Sequence, residues 1–233
     1  MWSDEARSID GTRAVCEEKV GLLLEAFLSA HPEFENLWPA EIVEDALIFC
    51  RFHVVDEPLP LHQYALCDMG KRIVVVNSEM NRFVHKWTNL ITLRRVTLAH
   101  ELGHVILHWD EITDRVFRSY QDDERFVDTR AYQKENEANL FSRVFLIPEA
   151  ALLVQREYET LRLAVQKNRA LTPTVVQRLI SQLANRFKVN PYLMKSRLAD
   201  LGWLHPTARR QSWKADLRLR RVRKTDDYAG DYD

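Results

Sequence analysis

Apolar residues recur every three to four positions from Thr12 to Ala30, with Cys16, Val20, Leu23, Leu24, Phe27 and Leu28 on one stripe. That period predicts an amphipathic helix. It stops at His31-Pro32, because proline disfavours helical geometry in the residue before it. A second helix is predicted from Ala40 to Phe49, with Ile42, Val43, Ala46, Leu47 and Phe49 facing inward. The texture then changes to short β-prone runs at Phe52–Val55, Tyr64–Cys67 and Arg72–Asn77. They predict a small antiparallel three-stranded sheet with Asp68-Met69-Gly70-Lys71 as a hairpin turn and Gly70 supplying a positive φ. Ile73-Val74-Val75-Val76 is apolar on both faces and is expected to be the most buried strand.

Helical texture returns at about Leu90 and is long and unbroken from Arg94 to Trp109. Residues 110–130 are charged and irregular and are expected to be a connector. Further helices are predicted from about Gln133 to Leu146, Ala150 to Lys167, Thr174 to Phe187 and Pro191 to Leu201, the last capped by Gly202. The fold class is therefore α+β: mainly helical, with the small sheet packed on the Arg94–Trp109 helix and a helical cap at the C-terminal side. The expected organisation is a core over 1–150, a cap with a helix-turn-helix-like element over 151–204, and a charged tail over 205–233.

Composition narrows the class. Only 6 of the 233 residues are glycine, which fits helices better than sandwiches or barrels. The formal net charge is −1. No apolar run approaches the roughly 18 residues of a membrane span, and the acidic N-terminus does not read as a signal peptide. The three cysteines are odd in number and form no CxxC pair, so the expectation is three small buried hydrophobes in a cytoplasmic protein. The near-neutral total conceals a basic block: residues 205–224 carry eight Lys and Arg against one Asp, and four Asp follow. That block is expected to be a solvated tail, with contact to nucleic acid as the less favoured role.

The chemistry concentrates in His100-Glu101-Leu102-Gly103-His104. Two histidines at i and i+4 share one helix face and can converge on one zinc ion, with Glu101 beside them as general base and later proton donor to a leaving amine. The flanking Val96-Thr97-Leu98-Ala99 and Val105-Ile106-Leu107 are apolar, so the helix is buried and its His and Glu need partners. A third ligand is required. His108 continues the i+4 series but lies about 12 Å along the axis from His100, too far to share the ion. The remaining donors are Glu135 and Glu137 on the following helix. Glu135 is preferred, because Asn139 then lies one turn along the same face and can orient a ligand histidine. Glu137 is expected to be solvated or salt-bridged. Tyr120, Tyr132, His108 and Tyr158 are unranked candidates for stabilising an oxyanion.

The set Thr97-Leu98-Ala99-His100-Glu101-Leu102-Gly103-His104, Glu135-x-x-Ala138-Asn139-x-Phe141 and Leu146-Ile147-Pro148-Glu149 resembles the ImmA/IrrE family of metallopeptidases. Leu183-Ala184-x-x-Phe187-x-Val189-Asn190 and Arg197-Leu198-x-x-Leu201-Gly202 look like its C-terminal helical element. The resemblance spans about residues 40–204. It implies a zinc-dependent endopeptidase with a gluzincin-like core, holding Zn2+ through His100, His104 and Glu135 and using Glu101 as catalyst. It also implies a protein substrate of the helix-turn-helix repressor type, cleaved to release mobile-element or stress-response genes. The competing reading is a regulatory module that binds a repressor or DNA around a structural or vestigial zinc site. The Leu183–Leu201 element is expected to be a packed cap, since its second helix offers only Lys195 and Arg197 for base contacts.

Overall fold

The computed structural model describes residues 3–60, 63–84, 89–109, 116–120, 129–167 and 171–204. The basic and acidic stretch 205–233 lies outside them. The chain begins with α1 (Ser3–Ala30), a short 3-10 turn (Pro32–Phe34) and α2 (Pro39–Phe49). The first helix is longer than its apolar period suggested, because residues 3–11 carry almost no apolar stripe. It does end before Pro32. Pro39 opens the second, where Glu41 Oε2 accepts from Trp38 N at 3.2 Å.

Three strands follow: β1 (His53–Glu57), β2 (Gln63–Asp68) and β3 (Ile73–Asn77). A fourth, β4 (Val116–Tyr120), lies inside the stretch expected to be an irregular connector. The sheet order is β1-β3-β2-β4. The α+β class is as expected, but the sheet is mixed rather than antiparallel. β3 turns back from β2 and enters the slot between β2 and β1, so it pairs antiparallel with one and parallel with the other. β4 then lines the free edge of β2, antiparallel to it. The valine-rich β3 encloses Val74 and Val76 fully but leaves Ile73 and Val75 half-buried, so it is no more buried than β2, where Ala65 and Cys67 are equally enclosed. The turn before it differs in detail. Asp68 Oδ1 accepts from Lys71 N at 2.9 Å, and the positive φ falls on Arg72 (57°) rather than Gly70.

The helix carrying the two-histidine motif is α3 (Leu90–His108), started by Asn89, whose Oδ1 accepts from Thr92 N at 2.8 Å. It packs under β2 and β3 on one side and along α4 (Thr129–Leu146) on the other. α1 covers α4, and α2 covers α3. The predicted helix Ala150–Lys167 is two helices, α5 (Glu149–Leu153) and α6 (Arg156–Gln166). The break is pinned by buried Gln155. Its Nε2 donates to Ala151 O at 2.9 Å, and its Oε1 accepts from Arg186 at 2.7 Å. α7 (Pro173–Arg186) and α8 (Pro191–Asp200) start on Thr172 and Asn190 caps. Gly202 has the positive φ (78°) of a helix C-terminus. Among the described residues, no helix is long and apolar enough to cross a membrane.

One apolar cluster runs from Cys16 in α1 to Leu204. α7 and α8 bury Leu183, Phe187, Met194 and Leu198 in it. Arg197, one of the two side chains considered for base contacts, is completely buried. Its Nε donates to Ile147 O at 3.1 Å, and its Nη2 pairs with Glu17 of α1 at 3.1 Å. This guanidinium ties α1, α8 and the end of α4 together.

Candidate metal centre

α3 and α4 touch where each has its smallest side chain. A Cβ placed on Gly103 would meet Ala138 Cα and O at 3.0 Å and Phe141 Cβ at 3.2 Å. The close approach brings one face of each helix within ligand distance of the other. His100 and His104 project from α3, one turn apart, and Glu135 projects from α4 three residues before Ala138.

Their polar atoms form a small triangle. His100 Nε2 lies 3.0 Å from His104 Nε2 and 3.0 Å from Glu135 Oε2, and His104 Nε2 lies 3.3 Å from Glu135 Oε1. All three residues are buried, and their donor atoms lie within 4.8 Å of one another. Protons alone satisfy such a triangle poorly, since two imidazole nitrogens 3.0 Å apart that both donate to the carboxylate set their hydrogens against each other. A shared cation does satisfy it. Ligand atoms about 2.0–2.1 Å from a tetrahedral ion are separated by roughly 3.3 Å. Two nitrogens and one carboxylate oxygen are also the donor set of catalytic zinc sites.

The rest of each ring is held as well. His100 Nδ1 donates to Asn139 Oδ1 at 3.1 Å, the contact expected from the spacing of Glu135 and Asn139. His104 Nδ1 lies 3.1 Å from His108 Nδ1. Glu137, on a different face of α4 from Glu135, meets His108 Nε2 at 3.0 Å and stands outside the triangle. Expected to be solvated or salt-bridged, its side chain is 40% exposed and is engaged by the His108 ring. The Phe117 ring from β4 stacks on His104, with centroids 4.2 Å apart and planes 18° apart. Glu101 is fully buried, and its charge acts on His100 and on Cys67 of β2.

Electrostatics follow the geometry. Burial favours neutral His100, but the hydrogen bond to Glu135 and the charges of Glu101 and Glu135 outweigh it and raise its pKa. For His104 burial wins, with further lowering from His100 and His108, and its pKa falls to about 4 despite the bond to Glu135. Burial opposes ionisation of Glu135, yet hydrogen bonds from both histidines bring its pKa down to about 2. The site thus keeps an ionised carboxylate against two imidazoles.

A family model, that of the M78 peptidases with their IrrE N-terminal-like domain, matches residues 71–198, more than half of the chain. The chain belongs to this family. Among curated proteins, none matches it. In this M78 peptidase the matched stretch carries β3, α3, β4 and α4, and therefore every residue of the triangle.

Of the oxyanion candidates, Tyr158 has its hydroxyl engaged by Trp203 Nε1 at 2.7 Å. His108 has both ring nitrogens committed to His104 and Glu137. Tyr132 is exposed on α4, one turn before Glu135. The Tyr120 side chain lies outside the described ones. The sequence reading missed Phe117. The β-prone Val116-Phe117 and Tyr120, embedded in a charged stretch, were the available signal.

Proposed function

We propose that this M78 peptidase is a zinc-dependent endopeptidase whose metal is held by His100, His104 and Glu135. The observation that carries the proposal is the buried triangle of two Nε2 atoms and one carboxylate. When bound there, zinc supplies Lewis acidity and lowers the pKa of water to about 7.

The chain's own residues perform the remaining work. Asn139 holds the His100 ring by accepting from Nδ1, which leaves Nε2 free for the ion. Phe117 covers the face of His104 and keeps water off it. Glu101 follows His100 in the chain, and its carboxylate takes a proton from the attacking water and delivers it to the leaving amine nitrogen. Exposure within the cluster is confined to the His100 and Glu135 side, so a peptide approaches from there.

The substrate we assign is a helix-turn-helix repressor in a cytoplasmic setting. This rests on the resemblance to the ImmA/IrrE metallopeptidases and on three free cysteines of which Cys16 and Cys67 are buried. The test is Glu101→Gln. The variant is expected to retain one equivalent of zinc by elemental analysis and to lose about 10²–10⁴-fold in cleavage of a repressor that the wild type cuts. Cleavage at the native rate would remove Glu101 from the mechanism. A wild type without stoichiometric zinc would remove the metal.

A further inference from the structure

His108 stands one turn beyond His104 on α3 and is buried. Too far along the helix to join the triangle, it is bonded at both ends: its Nδ1 lies 3.1 Å from His104 Nδ1, and its Nε2 lies 3.0 Å from Glu137 Oε2.

The arrangement has one consistent proton pattern when His104 is a ligand. His104 turns Nε2 toward His100 and Glu135, so Nε2 presents its lone pair and the proton sits on Nδ1. That Nδ1–H donates to His108 Nδ1. His108 therefore carries its own proton on Nε2, where it donates to the Glu137 carboxylate. Phe117 lies across both rings, its centroid 4.2 Å from that of His104 and 5.8 Å from that of His108. The Glu137 side chain is 40% exposed, so the chain of bonds leads from a fully buried ring to the protein rim.

We infer that His108 and Glu137 are positioning residues for the metal: a carboxylate–imidazole relay that fixes the ring orientation and tautomer of His104 and strengthens Nε2 as a donor. The inference rests on the metal reading proposed above. The two ligand histidines are thus buttressed differently, His100 by a neutral amide and His104 by a carboxylate acting through a second imidazole. Partners of this kind contribute about 10–100-fold to metal affinity or activity.

The experiment is a zinc competition titration on the full chain with a chromogenic chelator, paired with the absorption spectrum of the cobalt(II)-substituted protein. His108→Phe keeps a ring beside Phe117 and removes both nitrogens. It is expected to weaken zinc binding by about 10–100-fold and to shift the cobalt bands. Glu137→Ala should weaken binding in the same direction and add little on top of His108→Phe. Glu137→Gln retains an oxygen to accept from Nε2 and should recover most of the affinity lost in Glu137→Ala. Zinc affinity in His108→Phe within twofold of wild type would overturn the relay, as would a Glu137→Ala loss of equal size in both backgrounds. Should His108→Phe not fold, the Glu137 pair carries the test, because Glu137 lies at the rim. A wild type that binds no zinc would instead overturn the metal reading itself.

Discussion

The contact between Gly103 and Ala138 makes a sharp prediction. In a helix interior, replacing glycine by alanine normally stabilises by about 1 kcal/mol. At Gly103 the new methyl carbon would lie 3.0 Å from the Ala138 backbone and 3.2 Å from Phe141 Cβ. Ordinary carbon–carbon contact is about 3.5–4.0 Å. The obstacle is backbone, so the strain cannot be relieved by a rotamer change, and α3 and α4 must move apart by roughly half an ångström. Overpacking of this kind costs about 1–3 kcal/mol. The upper end applies here, which leaves a net destabilisation of about 1–2 kcal/mol after the propensity gain. Gly21 in α1 supplies the control, since nothing lies within 4 Å of its added Cβ. There the same substitution should stabilise by about 0.5–1 kcal/mol. Urea denaturation of both variants reads the difference in sign. Zinc titration of Gly103→Ala reads the second consequence, because parting the helices draws Glu135 away from the histidines. A Gly103→Ala protein as stable as wild type and with native zinc affinity would refute the close-packing argument.

Two further predictions concern stability. In metal-free protein, burial leaves His104 at about 4 against 6.5 for an ordinary histidine, so between these values the unfolded chain takes up a proton that the folded one refuses. Stability should therefore fall by about 3 kcal/mol from pH 6.5 to 4, and below 4.5 Glu135, held at about 2, adds to the loss. His100 acts oppositely: its raised pKa gives stability that is complete below 6.5 and lost as the pH rises through the folded value, so the optimum lies near 6.5. Urea curves of the chelator-stripped protein from pH 8 to 4 check this, and a steady gain in stability on acidification would contradict it. Separately, Glu17→Ala leaves the Arg197 guanidinium buried without its carboxylate and should cost about 3 kcal/mol, measured by the same denaturation. An effect below about 0.5 kcal/mol would mean that Ile147 O alone suffices.

The helices were legible because burial writes itself into the sequence as a period. The triangle was legible for a related reason: the i, i+4 repeat of His100 and His104 and the one-turn step from Glu135 to Asn139 are local. What stayed hidden was relational. Nothing in His53–Glu57 states that it will pair with β3 in parallel, since that depends on β2 leaving a slot between them. β4 was masked by its charged surroundings, and with it went Phe117. The i+4 step from His104 to His108 was visible, but its partner Glu137 could be seen only once α4 was laid against α3. In the sequence Arg197 offered the same base contact as Lys195, and only the packing of α1 against α4 and α8 encloses it.

The matched stretch 71–198 carries the chemistry but is not a unit that could stand by itself. Excised at those limits, β3 would lose β1 on one side and β2 on the other, and its backbone groups would have no partners in the sheet. The face of α4 now under α1 would lie bare, and Arg197 would lose Glu17. Ancestry and autonomy thus have different boundaries in this chain. Any trimmed version meant to keep the site must retain the N-terminal helix at least from Cys16 onward, even though that helix contributes no atom to the triangle.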